Sequence, residues 1–340
     1  MGSHRRLAQS GFDRGACSAL SVLSVAAAAL GAVSAVPATA APHDGTRAEV
    51  DRLYEEAEKA TEAYNKADEC AGALRRQVGD AQDHIARQQE RVNGLREQLG
   101  SLAGAQYRSG GLDPSLALLF SDDPEEYLAK ASVLDRITAH QAGELRELQG
   151  ALRELAQERS EAAHELAELE KSRRAVVGHK RIVEQKLRKA RELLDSLPSG
   201  ERAAYDRASR SDREDLPGLQ GSAPASGRAA AALAAVRSAL GKPYVWGANG
   251  PSGFDCSGLM QWSYAQAGVA LPRTSQAQAH AGRRVPLSQA QPGDIVTYRS
   301  DASHVGMYVG NGQVIHAPYP GAPVRYDPVG MMPVSSVTRP

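Results

Sequence analysis

The chain has 340 residues, and 40 lysines and arginines balance 40 aspartates and glutamates. Zero net charge excludes a dedicated nucleic-acid binder, which needs a basic excess, and the length accommodates about two domains. Only 5% of residues are aromatic. That is too little for one large globular core, so much of the chain is expected in long helices.

Residues 1–40 read as an export signal. Arg5, Arg6 and Arg14 form a basic start, Ala16 to Val36 is an apolar run of small residues, and Ala38-Thr39-Ala40 offers a cleavage site with Ala41 as the new N-terminus. An uncleaved membrane anchor is the rival reading. The paired arginines raise twin-arginine export, which Leu7-Ala8-Gln9 fits poorly, and Arg14-Gly15-Ala16 before Cys17 is no lipobox. Cleavage leaves Cys70 and Cys256, too few and too distant for a disulfide scaffold. Cys70 is expected as a half-buried small residue. Beyond residue 40 no apolar run is long enough to span a membrane.

From Val50 to Leu102 apolar residues recur at steps of three and four, interrupted only by Gln88. This heptad seam predicts a helix roughly 80 Å long. A second seam runs from Leu145 to Leu194, with Arg159, Arg173 and Lys180 among its members. Gly110-Gly111, Asp113-Pro114 and Ser121-Asp122-Asp123-Pro124 break helix between them, and Leu116 to Phe120 is expected to cap the tip. Together they predict an all-α antiparallel coiled-coil hairpin over 41–197. It is either a spacer or a regulatory arm. Gly72, Gly79, Gly94, Gly100 and Gly104 each cost about 1 kcal/mol relative to alanine, which favours a deformable element. Residues 198–227, rich in Gly, Ser and Pro, are expected to form a flexible linker.

Residues 228–340 carry the chemistry. Ala229 to Leu240 reads as a helix ended by Gly241, and Leu259 to Ala267 as another ended by Gly268. Cys256 therefore sits at a helix N-terminus, where the dipole and free amides favour a thiolate and lower its pKa. A thiolate nucleophile needs a base, and the base an orienting group. His304 and His316 are available, on successive predicted strands 304–309 and 314–316, after one at 294–299. A three-residue loop Gly310-Asn311-Gly312 would pair Val309 with Gln313. His304, Gly306, Tyr308, Val314 and His316 would then share one face, and Val305, Met307, Val309 and Ile315 the apolar one. A two-residue loop would put the histidines on opposite faces. Arg273 either clamps a substrate carboxylate bidentately or braces a loop. A zinc site of Cys256, His304 and His316 lacks the usual close-spaced ligand pairs, so no metal or cofactor is expected. Trp246 and Trp262 are expected in the core.

Six segments in order resemble the motifs of NlpC/P60 peptidases. They are Tyr244-Val245-Trp246-Gly247, Phe254-Asp255-Cys256-Ser257-Gly258-Leu259, Pro272-Arg273-Thr274-Ser275, Pro292-Gly293-Asp294, Ser303-His304-Val305-Gly306-Met307-Tyr308 and Val314-Ile315-His316-Ala317. The resemblance implies an α+β papain-like domain with Cys256 as nucleophile, His304 as base and His316 as orienting group. It also implies that Tyr244 lies by the thiolate and that Asp255 and Ser257 line the substrate groove. The whole plan, signal, hairpin and catalytic domain, resembles actinobacterial cell-wall DL-endopeptidases. That implies secretion to the cell wall and cleavage of peptidoglycan stems between D-γ-glutamate and diaminopimelate. It also implies a helical region that inhibits the enzyme or docks on an FtsX-type membrane protein. Other readings are a coiled-coil activator of a division complex with the C-terminal domain as wall anchor, and acyl transfer to an amine or lipid. A flexible tether spanning about 30 Å keeps the hairpin at millimolar effective concentration, so self-inhibition is expected.

Overall fold

The computed structural model describes residues 44–108, 124–202 and 223–340. The expected export signal, the helix-breaking segment 109–123 and residues 203–222 of the expected linker lie outside the described residues. No described helix is long and apolar enough to cross a membrane. The chain divides into two compact units, Ala71–Ala175 and the remainder, in which residues 44–70 join Val176–Pro340.

Two long helices, α1 (Asp44–Arg108) and α2 (Pro124–Ser196), form the antiparallel hairpin. In the unit containing the chain's C-terminus, Val50, Leu53, Ala57 and Ala60 of α1 pack on Val183, Leu187 and Ala190 of α2. In the other unit Val92 packs on Ala151 and Leu155. The α1 seam follows the expected spacing. The α2 seam needs a correction. It passes through half-buried Glu158, Glu165 and His179 and buried Ser172, one residue before each expected member, while Arg159, Arg173 and Lys180 face solvent. Positions i+3 and i+4 are both neighbours of a seam residue. The apolar Leu166 favoured the wrong alternative and is 49% exposed. Cys70 is buried and unpaired, as is Cys256. The expected linker also starts late, because 199–202 are helical and Arg202 donates to the Leu194 and Leu197 carbonyls at the end of α2.

After Ser226, whose hydroxyl caps the Ala229 amide, come α3 (Gly227–Ser238), α4 (Cys256–Gln266) and the short α5 (Ser275–Gln278). Six strands follow: β1 (Arg283–Val285), β2 (Ile295–Tyr298), β3 (His304–Gly310), β4 (Gln313–His316), β5 (Arg325–Pro328) and β6 (Val334–Arg339). They form one antiparallel sheet in the order β1-β6-β2-β3-β4-β5. Ile295, Val305, Met307, Val309 and Ile315 share a core with Leu233 and Val236 of α3 and Leu259, Met260 and Tyr264 of α4. Trp246 and Trp262 pack against that core.

The β3–β4 turn differs from expectation in an instructive way. Met307 pairs with Ile315 and Tyr308 with Val314, as the apolar alternation requires, but Gly310 rather than Val309 pairs with Gln313. The loop is the two-residue Asn311-Gly312, both left-handed at φ 53° and 71°, which suits a tight hairpin. A bulge at Val309 inserts the extra residue that returns both histidines to one face.

Candidate active site

Cys256 opens α4, and its surroundings fix it there. Asp255 is the N-cap, its carboxylate accepting from the Gly258 amide at 2.6 Å. A side chain at Gly258 would bring Cβ to 2.2 Å from the Ala248 carbonyl oxygen, so only glycine lets the helix start pack this closely. Arg273 holds Asp255 through two bonds of 3.0 and 2.5 Å and also donates to Ser257 Oγ at 2.9 Å. In this structure the guanidinium is thus bonded on both sides of Cys256, to Asp255 and Ser257. Tyr244 is buried, and its hydroxyl has no hydrogen-bond partner. Burial and the neighbouring Cys256 keep that hydroxyl protonated, a donor aimed into the site.

His304 starts β3 and His316 ends β4. Gly306, between Val305 and Met307 on the histidine face, gives the second ring room: a Cβ there would lie 3.1 Å from the His316 Cβ. The rings meet through His304 Nε2 and His316 Nδ1 at 2.7 Å, and His316 Nε2 reaches Asp327 Oδ2 at 2.6 Å. Arg325 Nε donates to the same Asp327 oxygen at 2.9 Å. Burial holds His316 neutral by lowering its pKa to about 4, against the pull of Asp327. Both nitrogens of His316 are thus engaged, which removes it as a third zinc ligand beside Cys256 and His304.

A second set of residues, which the sequence reading missed, comes from α1. Glu58, Glu62 and Asn65 lie at i, i+4 and i+7 on one helix face and are 3%, 2% and 2% exposed. One Glu58 oxygen is bonded to His304 Nδ1 and the other accepts from Arg299 at 2.7 Å. Glu62 accepts from Ser257 Oγ at 2.6 Å and the Ser275 amide at 2.8 Å, and lies 3.6 Å from Cys256 Sγ. Asn65 donates to Asp255 at 3.0 Å. Tyr54 stacks on Tyr319 and Tyr64 meets Trp246 edge-on, flanking the polar contacts. Arg299 adopts a left-handed φ of 64°, an uncommon backbone state for a non-glycine residue. The ligand atoms of Glu58, Cys256 and His304 lie within 4.8 Å of one another, yet each already has a hydrogen-bond partner in the protein.

The electrostatic outcome corrects the expected thiolate. Burial, followed by Glu58, Glu62 and Asp255, pushes the Cys256 thiol well above its ordinary pKa. Three carboxylates around one sulfur outweigh the helix dipole. Burial opposes ionisation of Glu58, but His304 and Arg299 prevail and hold its carboxyl below the usual range. Among the described residues no cation is hydrogen-bonded to Glu62, and Arg273 offsets its burial only in part. Burial and Asp255 raise it to about 7.

A cysteine at a helix N-terminus, beside a histidine chain on an antiparallel sheet, defines a papain-like cysteine peptidase domain. Residues 241–337 match the NlpC/P60 family model. A probable endopeptidase of Mycobacterium tuberculosis is 49% identical over 116 residues, covering 34% of this chain and 30% of the relative. One from Corynebacterium glutamicum is 48% identical over 125 residues, covering 37% and 59%. The crystallised P60 domain of an M. avium subspecies paratuberculosis antigen is 37% identical, covering 33% of this chain and 93% of that one, with a TM-score of 0.31. The chain thus spans less than two thirds of these two curated relatives.

Proposed function

We propose that this protein is a peptidoglycan endopeptidase exported to the cell wall and held latent by its own first helix. Cys256 attacks a stem-peptide carbonyl and passes its proton to His304. His316 orients His304, and the Cys256 amide with a second donor such as Tyr244 binds the oxyanion. Asp255 and Ser257, braced by Arg273, line the substrate side. The bond cut is that between D-γ-glutamate and diaminopimelate, as the resemblance implies. The likeness to probable endopeptidases supports the reaction class.

The observation that carries latency is the Glu58–Glu62–Asn65 face seated on His304, Ser257 and Asp255. It fills the space a substrate would take, and Glu58 ties up the ring nitrogen that the thiol needs. An FtsX-type membrane partner acting on the hairpin is the proposed agent that draws α1 away. The rival reading of a wall-anchored scaffold has no use for the unbroken chain from His304 through His316 to Asp327.

The test uses the mature chain from Ala41 and purified peptidoglycan, with products identified by mass spectrometry. The wild type is expected to be nearly silent. Combined Glu58→Ala, Glu62→Ala and Asn65→Ala should raise turnover at least about tenfold, the scale an intramolecular blocker supplies. Adding Cys256→Ala or His304→Ala should then abolish it, with a loss of about 10⁴-fold or more, whereas His316→Ala should leave weak activity. Full activity in a folded Cys256→Ala protein would end the cysteine-peptidase reading.

A further inference from the structure

We propose that Asp327 is a positioning residue that sets the tautomers of both histidines, so that Nδ1 of His304 is the nitrogen that works on Cys256. The inference rests on the reading of Cys256 and His304 as nucleophile and base, and concerns a residue outside that pair.

The argument follows the protons. Asp327 Oδ2 accepts from Arg325 Nε at 2.9 Å and faces His316 Nε2 at 2.6 Å. A carboxylate has no proton to give, so His316 must donate from Nε2. Burial keeps His316 neutral at ordinary pH, so its Nδ1 holds a lone pair. That lone pair faces His304 Nε2 at 2.7 Å, so His304 must donate from Nε2. Its remaining nitrogen, Nδ1, is bonded to the Glu58 carboxylate in this structure and lies in the same cluster as Cys256 Sγ; once α1 withdraws, Nδ1 is the nitrogen left to exchange a proton with the thiol.

The step this prepares is balanced within the protein. The proton leaves Cys256 Sγ for His304 Nδ1, giving thiolate and imidazolium, while His304 Nε2 keeps its own proton on His316. Asp327 takes up no proton. Its charge polarises His316 so that the His316 lone pair better supports the imidazolium. Burial opposes ionisation of Asp327, but His316 and Arg325 outweigh it and hold the carboxyl below its ordinary range. Arg325 therefore keeps the end of the relay ionised. The strand register places it there: Arg325 pairs with His316 and Asp327 with Val314, so both β5 side chains rise from the histidine face.

The experiment uses the mature chain carrying the three α1 substitutions that open the site, with selective ¹⁵N labelling of histidines. Asp327→Leu removes the acceptor. His316 is expected to shift toward protonation on Nδ1, with kcat falling about 10²–10⁴-fold, as when a catalytic histidine is held in the wrong tautomer, and KM changing little. Asp327→Asn retains an acceptor oxygen without the charge and should keep the tautomer with a smaller loss. Asp327→Glu should recover part of the activity. A purely structural role would lower stability but leave the kcat of folded protein and the nitrogen spectrum unmoved. If Asp327→Leu fails to fold, Asp327→Asn decides: kcat within twofold of its parent overturns the proposal. So does a folded Asp327→Leu protein that keeps His316 protonated on Nε2. Cys256→Ala in the same background separates the two levels. If it stays active, the nucleophile reading fails; if it is dead while Asp327→Leu is unaffected, the Asp327 assignment alone fails.

Discussion

Glu62 and Glu58 sit four residues apart on one helix and respond to the site in opposite directions. Glu58 is bonded to His304 and Arg299, which outweigh its burial and hold its carboxyl below the usual range. Glu62 meets Ser257, the Ser275 amide, the Cys256 sulfur and the Asp255 carboxylate, with Arg273 already bonded to Asp255, and its carboxyl rises to about 7. A glutamate exposed by opening returns to about 4.3. The closed state therefore binds the Glu62 proton more tightly than the open state. Its contribution to closure is complete below about 4.3 and is lost as pH rises through about 7. Glu58 has the reverse dependence, contributing above its exposed value and losing this as pH falls through its lowered one. Latency is thus expected to be tightest in mildly acidic solution and to weaken above neutrality. Glu62→Gln mimics the protonated form, so it should keep the enzyme closed at pH 8. Rates from pH 5.5 to 8.5, for wild type against Glu62→Gln, with the opened variant correcting for the chemistry, measure this. Identical ratios at every pH would remove Glu62 from the control of opening.

At the scale of elements, α1 buries two faces that one periodicity cannot describe. Val50, Leu53, Ala57 and Ala60 follow the heptad and pack on α2, while Glu58, Glu62 and Asn65 form a polar face in the catalytic groove. The glycines from Gly72 to Gly104 follow this docking segment, and no Cβ added at Gly79, Gly94 or Gly100 would touch anything. The β3–β4 hairpin is the other element that shapes the candidate site, since its bulge puts both histidines on one face. Gly306→Ala tests that geometry. Its Cβ would stand 3.1 Å from His316 Cβ and 3.2 Å from the Ile315 carbonyl oxygen, forcing the rings apart. Destabilisation of about 1–3 kcal/mol is expected from the overpacking. In the opened background kcat should fall by up to about 10²-fold, the cost of roughly 1 Å of misplacement. Thermal melts and turnover read the two effects separately, and unchanged turnover would show that the ring contact tolerates the shift.

On the scale of the molecule, the catalytic domain and the hairpin segments 44–70 and 176–202 belong to one compact unit. Trp246 and Tyr319 pack against the hairpin cluster beside Leu53 and Leu187. This bears on what cutting the linker should do. A cut within 203–222 removes the tether, but the buried contacts of α1 remain, so the clipped pair should stay associated at high concentration. Activity is expected to rise on dilution, as the millimolar effective concentration of the tether is lost. Residues 228–340 alone should turn over a soluble muropeptide much faster than residues 41–340 at equal concentration. Equal rates would leave the hairpin as a spacer or docking arm. A rise that is complete on cutting, at every concentration, would mean that the α1 contacts do not hold without the tether.

Local pattern alone determined the two long helices, the catalytic helix at Cys256 and the pairing of His304 with His316, because each depends on a period, a capping residue or an alternation confined to a short stretch. Even there, apolar Leu166 points to solvent while Glu165 lines the α2 seam, and the bulge at Val309 leaves no trace in the apolar alternation. The tertiary structure alone decided the state of the site. Glu58 lies 246 residues from His304, and a Glu-rich helix reads as solvated whether or not a groove receives it. Asp327 becomes part of the histidine chain only when β5 pairs with β4. The raised thiol pKa of Cys256 follows for the same reason: a helix dipole is local and visible in sequence, whereas burial and three converging carboxylates come from segments that only folding brings together.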